Sequence, residues 1–225
     1  MSVLTVVSAG LRDPSSTRLL ADRIAVAAER ELRAAGGRPA DDAADAVEVR
    51  HVEVRRRAHA IADALLTGFP TGTLKEALAD VAAADSLVLV TPTFQGSYSG
   101  LFKSFLDLVD ADEVGGTPVL LAATGGSERH SLVVENALRP LAAYLGLLAV
   151  PTGVYAATAD FGGTGTAALS RRIDRAAREL AGLRARVPRA TSEPVIGISG
   201  AFSNVEQQQD STFTPFEQLL GSIGT

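Results

Sequence analysis

Three short segments carry residue types that bind anions and flat ligands. The first runs Ser8-Ala9-Gly10-Leu11-Arg12-Asp13-Pro14-Ser15-Ser16-Thr17-Arg18. A glycine, hydroxyls, free amides and the start of a helix together make an anion cradle. Arg12 or Arg18 would add a charge-assisted contact to a phosphate. One of Ser15, Ser16 and Thr17 suffices to cap the helix, which leaves the other hydroxyls for a ligand. No Gly-x-x-x-x-Gly-Lys sequence occurs, which argues against triphosphate binding in the P-loop manner.

The second segment is Thr91-Pro92-Thr93-Phe94-Gln95-Gly96-Ser97-Tyr98-Ser99-Gly100-Leu101-Phe102-Lys103. Pro92 sets the exit from a strand, and Gly96 and Gly100 let backbone approach a flat ligand closely. The amides of Thr93, Phe94, Gln95, Gly96 and Ser97 are donors for the polar atoms of such a ligand. Phe94 and Tyr98 either lie on its ring or pack in the core or an interface. Ser99 is placed to cap the next helix, and Lys103 and Asp107, four apart, to pair on its surface. The third segment, Thr124-Gly125-Gly126-Ser127-Glu128-Arg129-His130, sets two glycines directly after a strand, where backbone can follow a ring edge. His130 reads either as a site residue or as a structural histidine near a helix start. His51 and His59 have no spaced partner, so no metal site is expected. Gly162-Gly163-Thr164-Gly165 lacks the strand-to-helix setting of a dinucleotide fingerprint and reads as a flexible connection.

The elements that must hold these segments alternate. Val3 to Val7 reads as a first strand and Thr17 to Ala35 as a helix closed by Gly36-Gly37. Pro39 to Asp45 is a polar, alanine-rich connection. Val47 to Val54 alternates apolar and polar residues, as a strand with one wet face does. Ala58 to Leu66 and Thr73 to Ala84 read as helices split by Gly68-Phe69-Pro70. Ser86 to Thr91, Pro118 to Ala123 and Leu147 to Pro151 are apolar runs suited to a parallel sheet covered on both faces. Helices are expected over Gly100 to Val109, Ser131 to Leu145 and Thr166 to Arg186. The pattern is an α/β fold: a flavodoxin-like, doubly wound, five-stranded parallel sheet of order 2-1-3-4-5 with a C-terminal extension. In that topology the three segments come after the carboxyl ends of strands one, three and four and converge beside strand one. Residues 1–186 would form this domain and 187–225 a tail with a short helix. Thr214, Pro215 and Glu217 signal the start of that helix, which would pack on its own domain, on a partner subunit or over a neighbour's site.

Bulk properties remove several function classes. The chain has 225 residues, 46% hydrophobic and 21% charged, so a packed core is expected. A net charge of −5 argues against a general nucleic-acid binder, and Arg55-Arg56-Arg57 reads as a solvated helix start. The chain has no cysteine, which excludes disulfides, thiolate catalysis and thiolate metal sites and suits a cytoplasmic protein. No signal peptide and no membrane-length apolar run is read.

At these residues the chain resembles the NADPH-dependent FMN reductase family, including the reductases that supply reduced flavin for alkanesulfonate oxidation. The family's phosphate loop, Gly-Ser-x-Arg-x-x-Ser, is similar to Gly10 through Ser16. Here the serine after the glycine is missing and Ser8 or Ser15-Ser16-Thr17 must replace it. Pro92 through Lys103 resembles the family's Pro-x-Tyr-x-x-Ser-Tyr-Ser-Gly-x-Leu-Lys, with Phe94 in place of the first tyrosine and Phe102 in place of leucine. Thr124-Gly125-Gly126 with His130, and Leu138-Arg139-Pro140, are further matches, over residues 1 to 185. The tail looks like that of an actinobacterial subgroup found beside luciferase-like flavin monooxygenases.

The resemblance implies FMN bound by Ser8, Gly10, Arg12, Ser15, Ser16, Thr17, Pro92, Thr93, Phe94, Gln95, Gly96, Ser97, Thr124, Gly125, Gly126, Ser127 and His130. It implies hydride transfer from NADPH or NADH to the flavin, with no side-chain acid or base required. An amide of the third segment near the pyrimidine side of the flavin would stabilise its reduced form. A homodimer or homotetramer and a flavin-dependent monooxygenase partner are further expectations. The same segments would serve an FMN-retaining reductase of a quinone, azo dye or metal oxyanion, or a flavin-binding electron carrier.

Overall fold

The computed structural model describes residues 2–36, 46–162 and 165–187. The Pro39 to Asp45 connection, Gly163-Thr164 and the tail from residue 188, with its expected helix, lie outside them. The strands are β1 (Ser2–Ser8), β2 (Val47–Glu53), β3 (Ser86–Phe94), β4 (Ser97–Tyr98), β5 (Pro118–Gly125), β6 (Leu148–Ala149) and β7 (Val154–Ala157). The helices are α1 (Ser16–Ala35), α2 (Ala58–Thr67), α3 (Gly72–Ala82), α4 (Gly100–Leu106), α5 (Ala111–Val114), α6 (Arg139–Tyr144) and α7 (Gly165–Arg184).

The parallel sheet has the order β2-β1-β3-β5-β6, with β7 also pairing β5 and β4 turned back antiparallel on β3. Side chains of a strand alternate between its faces, and the core divides accordingly. Val88 and Val90 of β3 and Leu120 and Ala122 of β5 pack with Leu20 and Ile24 of α1 and Ile173 and Leu180 of α7. Leu87, Leu89, Val119 and Leu121 face the other way, onto Ile61, Leu74, Phe102, Phe105 and Leu138. Helices on both faces explain why β3 and β5 are near-continuous apolar runs rather than alternating ones. This is the flavodoxin-like order expected.

Four local details differ from the expectation. The fifth strand is not Leu147 to Pro151 but two pieces: β6 pairs with Pro118 and Val119, and β7 with Ala122 through Gly125. Pro151, which has no amide hydrogen to give a ladder, lies in the gap. β3 runs three residues beyond Thr91. The helix expected over Gly100 to Val109 ends at Leu106, as α4, and a separate short helix, α5, follows from Ala111. The helix expected over Ser131 to Leu145 is a π-helical stretch, Val134–Leu138, leading into α6. Pro140 removes the amide that would have bonded four residues back, and the Arg139 amide reaches the Val134 carbonyl, five back.

At the amino edge of the sheet Asp85 is a three-way tie. Its carboxylate accepts the Val3 amide at 2.8 Å and Arg184 Nη2 of α7 at 3.0 Å. It therefore joins the starts of β1 and β3 to the end of α7, at the opposite pole from the loops that carry chemistry.

Candidate active site

Register places the loops. Ser8 ends β1 opposite Glu53 of β2 and Val90 of β3, and Pro92 lies opposite Thr124 of β5. The segments leaving β1, β2, β3 and β5 therefore rise side by side at the carboxyl edge, where open α/β sheets bind ligands. Pro92 is tolerated within β3 because pairing with β1 stops at Val90, leaving that edge without a ladder to feed.

The β1–α1 loop folds tightly on itself. A Cβ on Gly10 would lie 2.0 Å from Ser15 Oγ and 3.1 Å from Thr17 Cβ, so only glycine fits. Ser15 is the helix cap: its Oγ accepts the Arg18 amide at 3.2 Å, and its own proton is left to donate. Ser16 is exposed in the first turn. Thr17 departs from the expected anion cradle. It is buried, and its hydroxyl lies 2.8 Å from that of Thr124, tying this loop to the end of β5.

A small cavity of about 130 Å³ opens here, lined from this loop by Ser8, Gly10, Arg12 and Ser15. Its other wall holds Arg18, Glu53, Arg55 and Arg56. Arg18 is held by Glu53 and Asp22, at 2.7 Å each. Arg12 makes no ion pair among the described residues. A larger groove, of about 440 Å³, lies between α1 and α7 and touches none of these loops.

The second segment is a hairpin rather than an irregular loop. Thr93 pairs with Tyr98 and Phe94 with Ser97. Gln95 (φ 49°) and Gly96 (φ 78°) make the turn, both left-handed, which is the two-residue geometry that matches strand twist. Phe94 stands 46% exposed at the tip. Tyr98 instead turns into the protein, its ring 6.1 Å from that of Phe102 and tilted by 50°. Of the two aromatic rings read as either ligand-facing or packed, Phe94 is open and Tyr98 is packed against the core. Ser99 caps α4, accepting the Phe102 amide and giving its own amide to Thr91 Oγ1. Lys103 pairs with Asp107.

Gly125 and Gly126 differ in function. A Cβ on Gly125 would lie 2.0 Å from the Tyr155 hydroxyl, whereas one on Gly126 would meet nothing within 4 Å. Tyr155, from β7, donates to the Ser127 carbonyl at 2.7 Å. Burial pushes its phenol above the ordinary range; the neighbouring Thr93 hydroxyl opposes this and Asp160 adds to it. At neutral pH Tyr155 is therefore a fixed donor. Thr93 Oγ1 is buried beside it with no hydrogen bond of normal length and angle. His130 is exposed in a 3-10 turn, Glu128–His130, with no side-chain partner in the described residues.

The predicted residues thus form one edge, joined by the Thr17–Thr124 bond and by Thr93 against Tyr155. The expected set omitted Glu53, Arg55, Arg56 and Tyr155. The first three were readable in principle, since in the order 2-1-3 the segment leaving β2 must flank the β1 loop. Tyr155 carries no spacing signal. Among the described residues no group of three His, Asp or Glu is placed to hold a metal ion.

The sequence profile of the NADPH-dependent FMN reductases matches residues 1–162. The chain belongs to that family. Its relatives include an FMN reductase (NADPH) of Pseudomonas aeruginosa, 40% identical over 115 residues, which are 51% of this chain and 62% of that protein. The NADH-dependent FMN reductase SfnE of Pseudomonas putida is 42% identical over 128 residues, 56% of this chain and 69% of its own length. The chain thus spans less than two thirds of the first of these reductases. An oxidoreductase from Corynebacterium diphtheriae has a similar solved structure, with a TM-score of 0.77 and 44% identity over 84% of this chain and 99% of that one. Of the hydroxyls expected in the β1–α1 loop, that of Ser15 stands directly beside Gly10.

Proposed function

We propose that this family member is an NAD(P)H:FMN oxidoreductase that binds FMN across the three loops and accepts hydride from NADPH or NADH. The observation that carries the reading is the adjacency of a phosphate-sized, arginine-lined cavity to the Gly125–Ser127 edge, fixed by the Thr17–Thr124 hydrogen bond. A ligand with a phosphate at one end and a flat ring at the other fits that arrangement. The observed features suit FMN: a glycine cradle closed to any Cβ at Gly10, an Arg12 without an ion pair among the described residues, and an open Gly126.

FMN held there would supply the redox chemistry, as the acceptor of hydride. The chain's own residues bind and orient. Ser15 and Arg12 would hold the phosphate. Phe94 would cover part of the ring from the hairpin tip. Tyr155 fixes the Ser127 peptide, so that the amides beside Gly126 are already directed when the ligand arrives, which is where preorganised dipoles are most effective. No side chain of this edge is needed as an acid or base, and exposed His130 is assigned no proton transfer.

We further propose that the reductase is a homodimer or homotetramer acting in the cytoplasm and that its reduced flavin feeds a monooxygenase. Exposed Leu66, Phe69 and Tyr144, at 87%, 77% and 84%, support self-association. The decisive assay is oxidation of NADPH and of NADH with and without added FMN. Strong dependence on added FMN is expected. Activity without added flavin, toward a quinone, would instead indicate a retained FMN, and no FMN binding or reduction would refute the reading.

A further inference from the structure

Arg55-Arg56-Arg57 reads in the sequence as a solvated helix start, but the structure divides the three. Val54 is fully buried and anchors the 3-10 turn Val54–Arg57. Arg57 turns back to the scaffold, donating from Nε to the Thr73 carbonyl at 2.9 Å and from Nη1 to the Glu53 carbonyl at 3.1 Å. Arg55 and Arg56 go the other way and line the cavity at Gly10 and Ser15. They reach it because Glu53, the last residue of β2, lies opposite Ser8, the last of β1.

The charges in this cavity do not cancel. Four arginines line it with two carboxylates, Asp13 and Glu53, and a third carboxylate, Asp22, pairs with Arg18 from outside the lining. Glu53 is shared between Arg18 at 2.7 Å and Arg56 at 3.3 Å, and Asp13 contacts Arg55 at 3.3 Å. Arg12 has no carboxylate partner among the described residues. Arg12 is thus left over, and displacing Asp13 from Arg55 opens a second guanidinium, so that two positive groups are available to a phosphomonoester dianion. Asp13 is exposed and its contact with Arg55 is long, so a phosphate can displace it at little loss.

We propose that Arg55 and Arg56 are specificity-determining residues that complete the phosphomonoester site and make the protein select phosphorylated flavin over riboflavin. The inference rests on the FMN reading above. Both residues line the cavity with Ser15 and Arg12, so that a phosphate bound there would meet their guanidinium groups. Arg57 does not share this function, because its donors are committed to backbone carbonyls.

The test is equilibrium titration of the full-length protein with FMN and with riboflavin, for the unaltered chain and for R55Q, R56Q and R55Q/R56Q. FMN affinity should fall about tenfold for each single change, as loss of a hydrogen bond to a charged group predicts, while riboflavin affinity changes less than twofold. In the unaltered protein, added salt should weaken FMN but not riboflavin. The proposal is overturned if FMN affinity is unchanged in the double variant, or if both flavins weaken equally. Equal affinity for the two flavins in the unaltered protein would also overturn it, leaving flavin binding itself intact. Binding of neither flavin by the unaltered protein would overturn the FMN reading, and the proposal with it. Both residues are on the surface, so the variants are expected to fold, and the salt series needs no variant.

Discussion

Gly10 and His51 show how single residues shape the corner between the β1–α1 loop and β2. Gly10→Ala would drive a methyl to within 2.0 Å of Ser15 Oγ. Ser15 must then rotate and release the Arg18 amide, uncapping α1. The expected loss of stability is about 1–3 kcal/mol, combining cap and overpacking effects, with a parallel loss of FMN affinity. Urea unfolding and flavin titration would check both. His51, on β2, faces Arg18, Asp22 and Glu53. Burial first and Arg18 second lower its pKa, against the opposing pull of Asp22, 3.7 Å away, and of Glu53. Between its folded value and the ordinary value of about 6.5 the unfolded chain binds more protons. Stability should therefore be full above about pH 6.5 and fall as pH drops below it. His51→Gln should flatten that slope in unfolding free energies measured from about pH 5 to 8.

Between elements, the Thr17–Thr124 bond is the joint that sets the distance between the proposed phosphate and ring subsites. It links the first turn of α1 to the end of β5, 107 residues away in sequence. Thr124→Val would leave the buried Thr17 hydroxyl without a partner and cost about 1–3 kcal/mol. The T17V/T124V double variant should recover most of that stability, because neither hydroxyl is then orphaned. Flavin affinity should not recover, since the joint is gone. A double-mutant cycle read by both thermal unfolding and flavin titration separates these outcomes. At this scale the sequence was legible where period and punctuation agree. The apolar runs of β1, β3 and β5, the cap at Ser99 and the Lys103–Asp107 pair all obey local rules. The hairpin at Gln95-Gly96 was missed because Gln95 is not a residue that announces a left-handed turn. The position of Tyr155 was missed because it depends on how β7 continues beyond the break after β6, which is a matter of pairing with β5 and not of local pattern.

Across the whole molecule, binding and anchoring occupy opposite ends of the sheet. Asp85 and Arg184 hold the amino edge, while all predicted flavin contacts lie at the carboxyl edge. Replacing Asp85 by Ala would take the acceptor from the Val3 amide and the carboxylate from Arg184, whose guanidinium would keep the Val187 carbonyl. The expected cost is about 3 kcal/mol, seen as a lower Tm, with flavin affinity of the folded fraction unchanged. Loss of affinity in proportion to loss of stability would show that the two ends are coupled. The resemblance of the three loops carried the family and the fold, because the order 2-1-3-4-5 comes from the alternation of strands and helices. It did not carry the contribution of the turn after β2, whose Arg55 and Arg56 line the cavity because Glu53 lies in register with Ser8.

The break at Pro151-Thr152-Gly153 has a consequence beyond the sheet's outline. On this side the outermost strand is a two-residue piece and a four-residue piece, separated by a proline and by a glycine at which a Cβ would lie 2.5 Å from Val134. Neither piece presents a ladder long enough to recruit an extended segment from another chain. The interruption is thus a guard against edge-to-edge aggregation, placed on the strand that also delivers Tyr155 to the Ser127 carbonyl.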